Sequence, residues 1–223
     1  VEEEGFFLPE DKSSARWYDA DTLIVGSSAG AGETTESDLP RTLRFWRRGT
    51  SLRDAPVVFE IEERDASVSA ALMRAGGADG FVAIRRPDFF TSEFFYIEQD
   101  GKRKALALPR RAAISGVHSE QLLLRLNQDW TPATREESFR SGDLISVSLQ
   151  ELMQRQHIAN AQLIYRPADN EAVRTVVSAD GAIFAELLRG YRSAIIKISV
   201  DTDGGWIAST LQVADDSFIS LID

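Results

Sequence analysis

One strand-rich pattern, used four times over, constrains this chain more than any other feature of its sequence. In each copy a first strand of small and β-branched residues ends in a tight turn of Asp, Gly, Ser or Glu. A strongly apolar second strand follows, then a variable loop, a third strand and a fourth strand. The first copy reads 14–18, 22–26, 41–47 and 57–61, and the second reads 67–74, 80–85, 93–98 and 104–108. The third reads 112–117, 121–126, 143–149 and 162–166, and the fourth 173–178, 182–188, 194–200 and 207–213. The second strands open at Thr22, Gly80, Gln121 and Ala182, and most of the variation in length falls in the loop that follows them. Four antiparallel strands in a unit of roughly 40 to 60 residues is the signature of a propeller blade.

The strand compositions suit that reading. First strands are small and partly polar (Ser67, Ser69; Ala112, Ala113, Ser115), as a strand lining a crowded central channel should be. Second strands are nearly all apolar (Leu122, Leu123, Leu124; Ile183, Phe184), as burial on both faces between neighbouring blades requires. Only Leu149 to Gln156 has the periodicity of one or two helical turns, whereas parallel α/β folds need a helix-length crossover between strands. The expectation is therefore an all-β chain, a partial β-propeller in one domain over 1–223. Its blades run approximately 14–61, 67–108, 112–166 and 173–213. An irregular β-sandwich is the alternative. Gly5 to Pro9 reads as the fourth strand of a preceding blade, and residues 216–222 as the first strand of a following one. Together with a start at Val1 rather than Met, this reads as part of something longer. Open blade edges are templates for pairing, so an edge-paired homodimer is a further expectation.

Charge narrows the partners. Twenty-five basic residues against 35 acidic ones leave a net charge of −10. This argues against nucleic acid, which needs a basic face, and against an anionic membrane surface. The short basic runs at Arg47-Arg48 and Arg110-Arg111 read as solvated strand ends. No apolar run approaches the roughly 20 residues of a membrane span. The absence of cysteine removes disulfides, thiolate metal sites and cysteine nucleophiles. It leaves the compartment open between cytoplasm and periplasm.

Motif by motif, the sequence offers little catalysis. Gly26-Ser27-Ser28-Ala29-Gly30 fits G-x-S-x-G, the serine elbow of α/β-hydrolases, and follows a strand. The elbow needs a helix next, but residues 31–40 form a polar stretch with Gly32 and Pro40. A triad also needs an acid and a histidine downstream, and the only histidines are His118 and His157. A loop between two strands is the expected reading of Ser28. Neither histidine has a carboxylate at ligand spacing. The stretch from Asp201 to Gly205 starts like a calcium loop, but the position that requires Glu is Gln212, so a turn is expected there, as at Asp215-Asp216. The chain is thus expected to hold no catalytic residue, metal or cofactor.

The loops between second and third strands carry more. Strand direction alternates within a blade, so 26–40, 85–92, 127–142 and 189–192 should leave by one face. They bring Arg85, Arg86, Phe89, Phe90, Trp130, Tyr191 and Arg192, which are candidate contacts to substrate or to another domain. Arginine and aromatic residues are enriched at interface hot spots. The competing reading is that the aromatics cap blade ends and the arginines pair with acids such as Asp88 and Asp129.

The residues also resemble a family. Gly5-Phe6-Phe7-Leu8-Pro9-Glu10-Asp11-Lys12-Ser13-Ser14, then Trp17 and Asp19 to Gly26, are similar to the propeller of bacterial prolyl oligopeptidases. So are Leu39-Pro40-Arg41 leading to Trp46-Arg47-Arg48-Gly49-Thr50, then Phe90-Thr91-Ser92-Glu93, and Asp129-Trp130-Thr131 through Ser141-Gly142-Asp143-Leu144. The matches fall in the family's order over nearly the whole chain. The resemblance implies a seven-bladed propeller fused to an α/β-hydrolase domain. That domain carries a Ser, Asp and His triad and cleaves short peptides after proline, while the propeller restricts access by size. This chain would be the middle of such a propeller, with no triad residue of its own. Its implied partners are the hydrolase domain and short proline-containing peptides. A stand-alone scaffold that binds proteins is the alternative from another class. An autonomous hydrolase built on Ser28 comes last.

Overall fold

The structure is a computed structural model. It describes residues 5–8, 10–28, 32–75, 78–98, 100–133, 136, 138–154, 158, 160–179, 181–212 and 221. The first sheet holds β1 (Ser14–Trp17), β2 (Thr22–Gly26), β3 (Thr42–Arg47) and β4 (Val57–Glu60). The second holds β5 (Ser67–Ala75), β6 (Ala78–Arg86), β7 (Glu93–Glu98) and β8 (Arg103–Leu106). The third holds β9 (Ala112–His118), β10 (Gln121–Leu126), β11 (Leu144–Ser148) and β12 (Ala161–Tyr165). The fourth holds β13 (Glu171–Ala179), β14 (Ala182–Arg189), β15 (Arg192–Val200) and β16 (Trp206–Thr210). Each sheet is a meander in chain order, so the four sequence copies are four antiparallel sheets, the blades of a partial β-propeller.

The second strands are where burial concentrates. All five residues of β2 are buried, and Leu122, Leu123 and Leu124 of β10 are closed to solvent. An edge strand such as β1 is exposed throughout. Turn chemistry fits the ladders. Arg189 pairs with Arg192 across a two-residue hairpin whose first residue, Gly190, has φ 60°, the sign a type II′ turn demands. One α-helix, α1 (Leu149–Gln154), sits between β11 and β12 and buries Leu149 and Leu152. The expected helix ran to 156, and residues 155–157 lie outside the described residues.

The sheets group into two compact units, one of residues 1–74 and 78–106, the other of 75–77 and 107–223. In the first unit, Ile24, Leu43 and Phe59 of the first sheet share a core with Phe81, Ala83 and Ile97 of the second. Phe45 meets Phe81 edge to face at 5.6 Å, and Phe59 lies 5.1 Å from Phe95. In the second unit, Leu123, Leu144 and Ile164 pack against Ile183, Leu187 and Ile196. There Arg125 Nη1 donates to the Val173 carbonyl at 2.6 Å, and His118 Nδ1 lies 2.8 Å from Ser178 Oγ. Arg125 lies on β10 opposite Ala113 at the start of β9, and His118 ends β9. The two links thus set the start of β9 by the start of β13 and end by end, so these strands run in the same direction.

No strand is assigned at Gly5–Leu8; Phe6 and Leu8 pack instead beside Leu23, Val25 and Trp46. Residues 216–220 and 222 lie outside the described residues.

Gly80 of β6 has no room for a side chain. A Cβ there would sit 2.4 Å from the Tyr96 ring and 2.6 Å from the Ile97 carbonyl oxygen on the adjacent strand. Gly80→Ala is expected to cost about 2–3 kcal/mol of stability, because the backbone oxygen cannot swing aside. Urea unfolding followed by circular dichroism reads this directly, and an unchanged midpoint would contradict the packing.

Candidate functional site

In the first unit the candidate residues gather at the β6–β7 hairpin. Arg85 and Arg86 are the last two residues of β6, so strand alternation sends their side chains to opposite faces. Arg85 is fully engaged. It donates to both oxygens of the buried Asp65 carboxylate, at 2.8 and 3.0 Å, and to Glu93 at 3.4 Å, with Glu62 at 3.9 Å. The Glu62 amide adds a third donor to Asp65 at 2.9 Å. Burial alone would raise the Asp65 carboxyl. The Arg85 fork, the Glu62 amide and the positive charge of Arg85 and Arg64 outweigh it and hold the group below its ordinary value. The same bond to Asp65 pushes Arg85 up. The β2–β3 loop lies at this end too, since the Glu36 amide donates to the Glu63 carbonyl at 2.8 Å.

Beyond β6, Asp88 shapes the tip. Its carboxylate accepts from the Phe90 and Thr91 amides, both at 2.7 Å, and from the Thr91 hydroxyl at 2.8 Å. Held this way, Phe89 and Phe90 are 81% and 74% exposed. Asp88 thus builds the turn, while Asp65 and Glu93 take the arginine. Arg86 donates through Nη1 to Ser69 Oγ of β5 at 3.1 Å, and burial pulls its pKa down.

In the second unit Trp130 lies in the loop between β10 and β11. Its amide and carbonyl exchange hydrogen bonds with those of Phe139, both at 2.9 Å, and the two rings stack at 5.9 Å. Asp129 closes the loop base by accepting from the Ser141 amide at 2.8 Å. Tyr191 and Arg192 stand exposed at the β14–β15 turn. Because β9 and β13 run the same way, the Trp130 loop and the Tyr191 turn leave the same end of this unit. The structure therefore gathers the seven candidates as two groups: Arg85, Arg86, Phe89 and Phe90 in one unit, and Trp130, Tyr191 and Arg192 in the other.

Sequence reasoning missed the polar clamps beneath these loops. Asp143, wholly buried, takes Arg166 through Nε at 2.9 Å and Nη2 at 2.6 Å. Glu171 at the start of β13 holds Arg189 at the end of β14, and the Tyr165 hydroxyl donates to it at 2.7 Å. Burial raises the Glu171 carboxyl, but its bonds from Tyr165, the Ala168 amide and Arg189 carry it below its usual value. Burial, then the bond to Glu171, raises Tyr165. Two copies share a readable signal: an acid beside the first strand faces an arginine at the end of the second. Asp65 with Arg85 and Glu171 with Arg189 both follow it.

Ser28 belongs to a clamp of the same kind. Asp11 accepts from the Ser27 hydroxyl at 2.6 Å and the Ser28 amide at 3.1 Å, and Ser28 Oγ accepts from the Lys12 amide at 3.2 Å. No helix follows in residues 32–40, and 29–31 lie outside the described residues. His118 is buried on Ser178 and Trp206, and His157 lies outside the described residues. Asp201 spends one carboxylate oxygen on the Asp203 and Gly205 amides at 2.9 and 2.7 Å, which is a turn. Asp215 and Asp216 lie outside the described residues. Among the described residues no three His, Cys, Asp or Glu side chains gather as a metal would require.

No family model matches the chain. An uncharacterized peptidase, y4nA, from Sinorhizobium fredii is 27% identical over 225 residues, covering 98% of this chain and 30% of that protein. Among solved structures, a post-proline cleaving enzyme from Rickettsia typhi superposes with a TM-score of 0.77 at 18% identity, over 91% of this chain and 30% of that one. A structure from a study of two prolyl endopeptidases, described in terms of inter-domain dynamics in catalysis and specificity, gives a TM-score of 0.66 at 12% identity. It covers 91% of this chain and 28% of that one. The resemblance to prolyl oligopeptidases read from the sequence is borne out, and the solved structures share the propeller fold. The chain spans about 30% of the length of the relatives it matches.

Proposed function

We propose that this chain is the substrate-restricting propeller part of a prolyl oligopeptidase-like serine peptidase. The observation that carries the reading is that 98% of the chain aligns with only 30% of a peptidase. Ser27 and Ser28 of its serine motif are, moreover, bonded to Asp11 and Lys12. The mechanism is steric. Blades wall off the approach to a catalytic centre on another domain, and the loops bearing Phe89, Phe90, Trp130, Tyr191 and Arg192 contact that domain or an entering peptide. The clamps at Asp65, Asp143 and Glu171 support this by holding the loop bases rigid, so that exposed aromatics are presented without an ordering cost on contact.

The test uses the protein that joins this chain to its hydrolase domain. Replacing Phe89, Phe90 and Trp130 together by alanine is expected to lower kcat/KM on a short proline-containing chromogenic peptide by roughly tenfold, about 1.4 kcal/mol, as modest interface anchors would. It should also raise cleavage of longer peptides relative to short ones. Unchanged values on both lengths would remove the loops from the mechanism. The competing reading, a scaffold that binds proteins without a hydrolase partner, draws on the same exposed aromatics. A reading frame that stops at Asp223 would favour it.

A further inference from the structure

Arg86 is a cation that the described fold gives no anion. Its neighbour Arg85 is met by Asp65, Glu93 and Glu62. Arg166 is met by Asp143, and Arg189 by Glu171. Arg86, on the other face of β6, has one polar partner among the described residues, the Ser69 hydroxyl, and no carboxylate there within ion-pair distance. It is nevertheless only partly exposed, and burial depresses its pKa. A guanidinium half out of water with one neutral hydrogen bond is costly to keep. The arrangement suits a group that arrives from outside with a negative charge.

The surroundings say which anion. Ser69 Oγ on β5 already accepts from the guanidinium at 3.1 Å, and Ser67, two residues earlier on the same strand, falls on the same face of the sheet. A planar fork with one nitrogen on a neutral hydroxyl and the others free of a carboxylate among the described residues matches an incoming carboxylate, which such a fork grips through two parallel bonds. A net charge of −10 disfavours polyanions such as nucleic acid or polyphosphate, whereas a single carboxylate is tolerated. The site closes β6, directly before the loop that displays Phe89 and Phe90.

We infer that Arg86, with Ser69, is a carboxylate-binding site that receives the free carboxylate of a short peptide at the loop end of the second sheet. The peptide half of this rests on the proposed function, while the anion half does not. The site would favour peptides carrying a C-terminal acid or an acidic side chain in reach of Arg86, with the rest of the peptide lying along the aromatic tip.

The experiment titrates this chain with a proline-containing tetrapeptide in three forms: free acid, C-terminal amide, and amide carrying one glutamate. The free acid is expected to bind about tenfold more tightly than the plain amide. Recovery of that affinity by the glutamate form would assign the carboxylate to the side chain, and no recovery would assign it to the C-terminus. In Arg86→Gln the ratio of acid to amide affinity should fall to about one, and Arg86→Lys should keep part of that ratio. Far-ultraviolet circular dichroism checks that both variants fold. A fourth titration with sodium acetate follows the Arg86 Nε–H signal by NMR. An acetate-induced shift without peptide binding would keep the anion site and sink the peptide reading. Equal binding of acid and amide, a preference that survives Arg86→Gln, or an Nε–H signal indifferent to acetate would overturn the inference.

Discussion

Phe81→Ala is expected to cost about 4 kcal/mol of folding free energy, in the range of large aromatic truncations in closed cores. Phe81 has no exposed surface and lies on β6, the second strand of its sheet. Its ring meets Phe45 at 5.6 Å and shares a cluster with Ile24, Leu43 and Phe59 of the facing sheet. Truncation therefore opens a void between two sheets that are each fixed by their own ladders, which limits how far the walls can close. Urea denaturation should show the midpoint falling with little change in slope. A loss below about 1.5 kcal/mol would mean that the sheets slide together and fill the gap, against the rigid packing described above.

Asp65→Asn is expected to cost about 3 kcal/mol, near the lower end for breaking a buried ion pair, because Arg85 keeps contact with Glu93 and Glu62. Asparagine presents one acceptor and one donor to a guanidinium that can only donate, so one of the two bonds to Asp65 becomes a repulsion. The effect depends on pH, and its sign follows from the direction of the Asp65 shift. The folded carboxyl lies below its unfolded value, near 3.9 for an ordinary aspartate. The native chain therefore gains the full contribution above that pH and loses it as the pH falls through the lower, folded value. The gap between native and Asp65→Asn should stay constant from neutral pH down to about 4 and narrow below it. A gap that opens with acid instead would contradict the assigned pairing. Salt should change it little, since Asp65 is buried.

The sheets were legible because apolarity is concentrated in one strand of every copy. Leu122-Leu123-Leu124 and Ile183-Phe184 can only be second strands, and the others follow by spacing. The loops bearing Phe89, Phe90, Trp130 and Tyr191 were legible for the same reason, as the stretches left over. The difference between Arg85 and Arg86 was not. Adjacent in sequence, they part only when the strand turns one toward Asp65 and the other toward Ser69, and Asp65 lies on a separate segment before β5. Asp88 was the nearer acid along the chain, but its carboxylate serves the turn amides. Ser28 was legible as a loop residue because G-x-S-x-G specifies spacing, and no helical pattern follows it to give the serine its strain. Its partner was not legible, since Asp11 stands on the far side of a strand.

The paired Trp130 and Phe139 have a further consequence for how this chain can vary. Their mutual hydrogen bonds and stacked rings, with Asp129 bonded to Ser141 below and the Thr131 and Ser138 hydroxyls joined at 2.6 Å above, zip the neck of the loop shut. The closed neck stands between the loop tip and the ladder of β10 and β11. Residues can be added or removed there without the cost reaching the sheet. Lineages of this chain can thus alter the reach of that loop by small insertions and deletions, leaving the strands to be inherited unchanged.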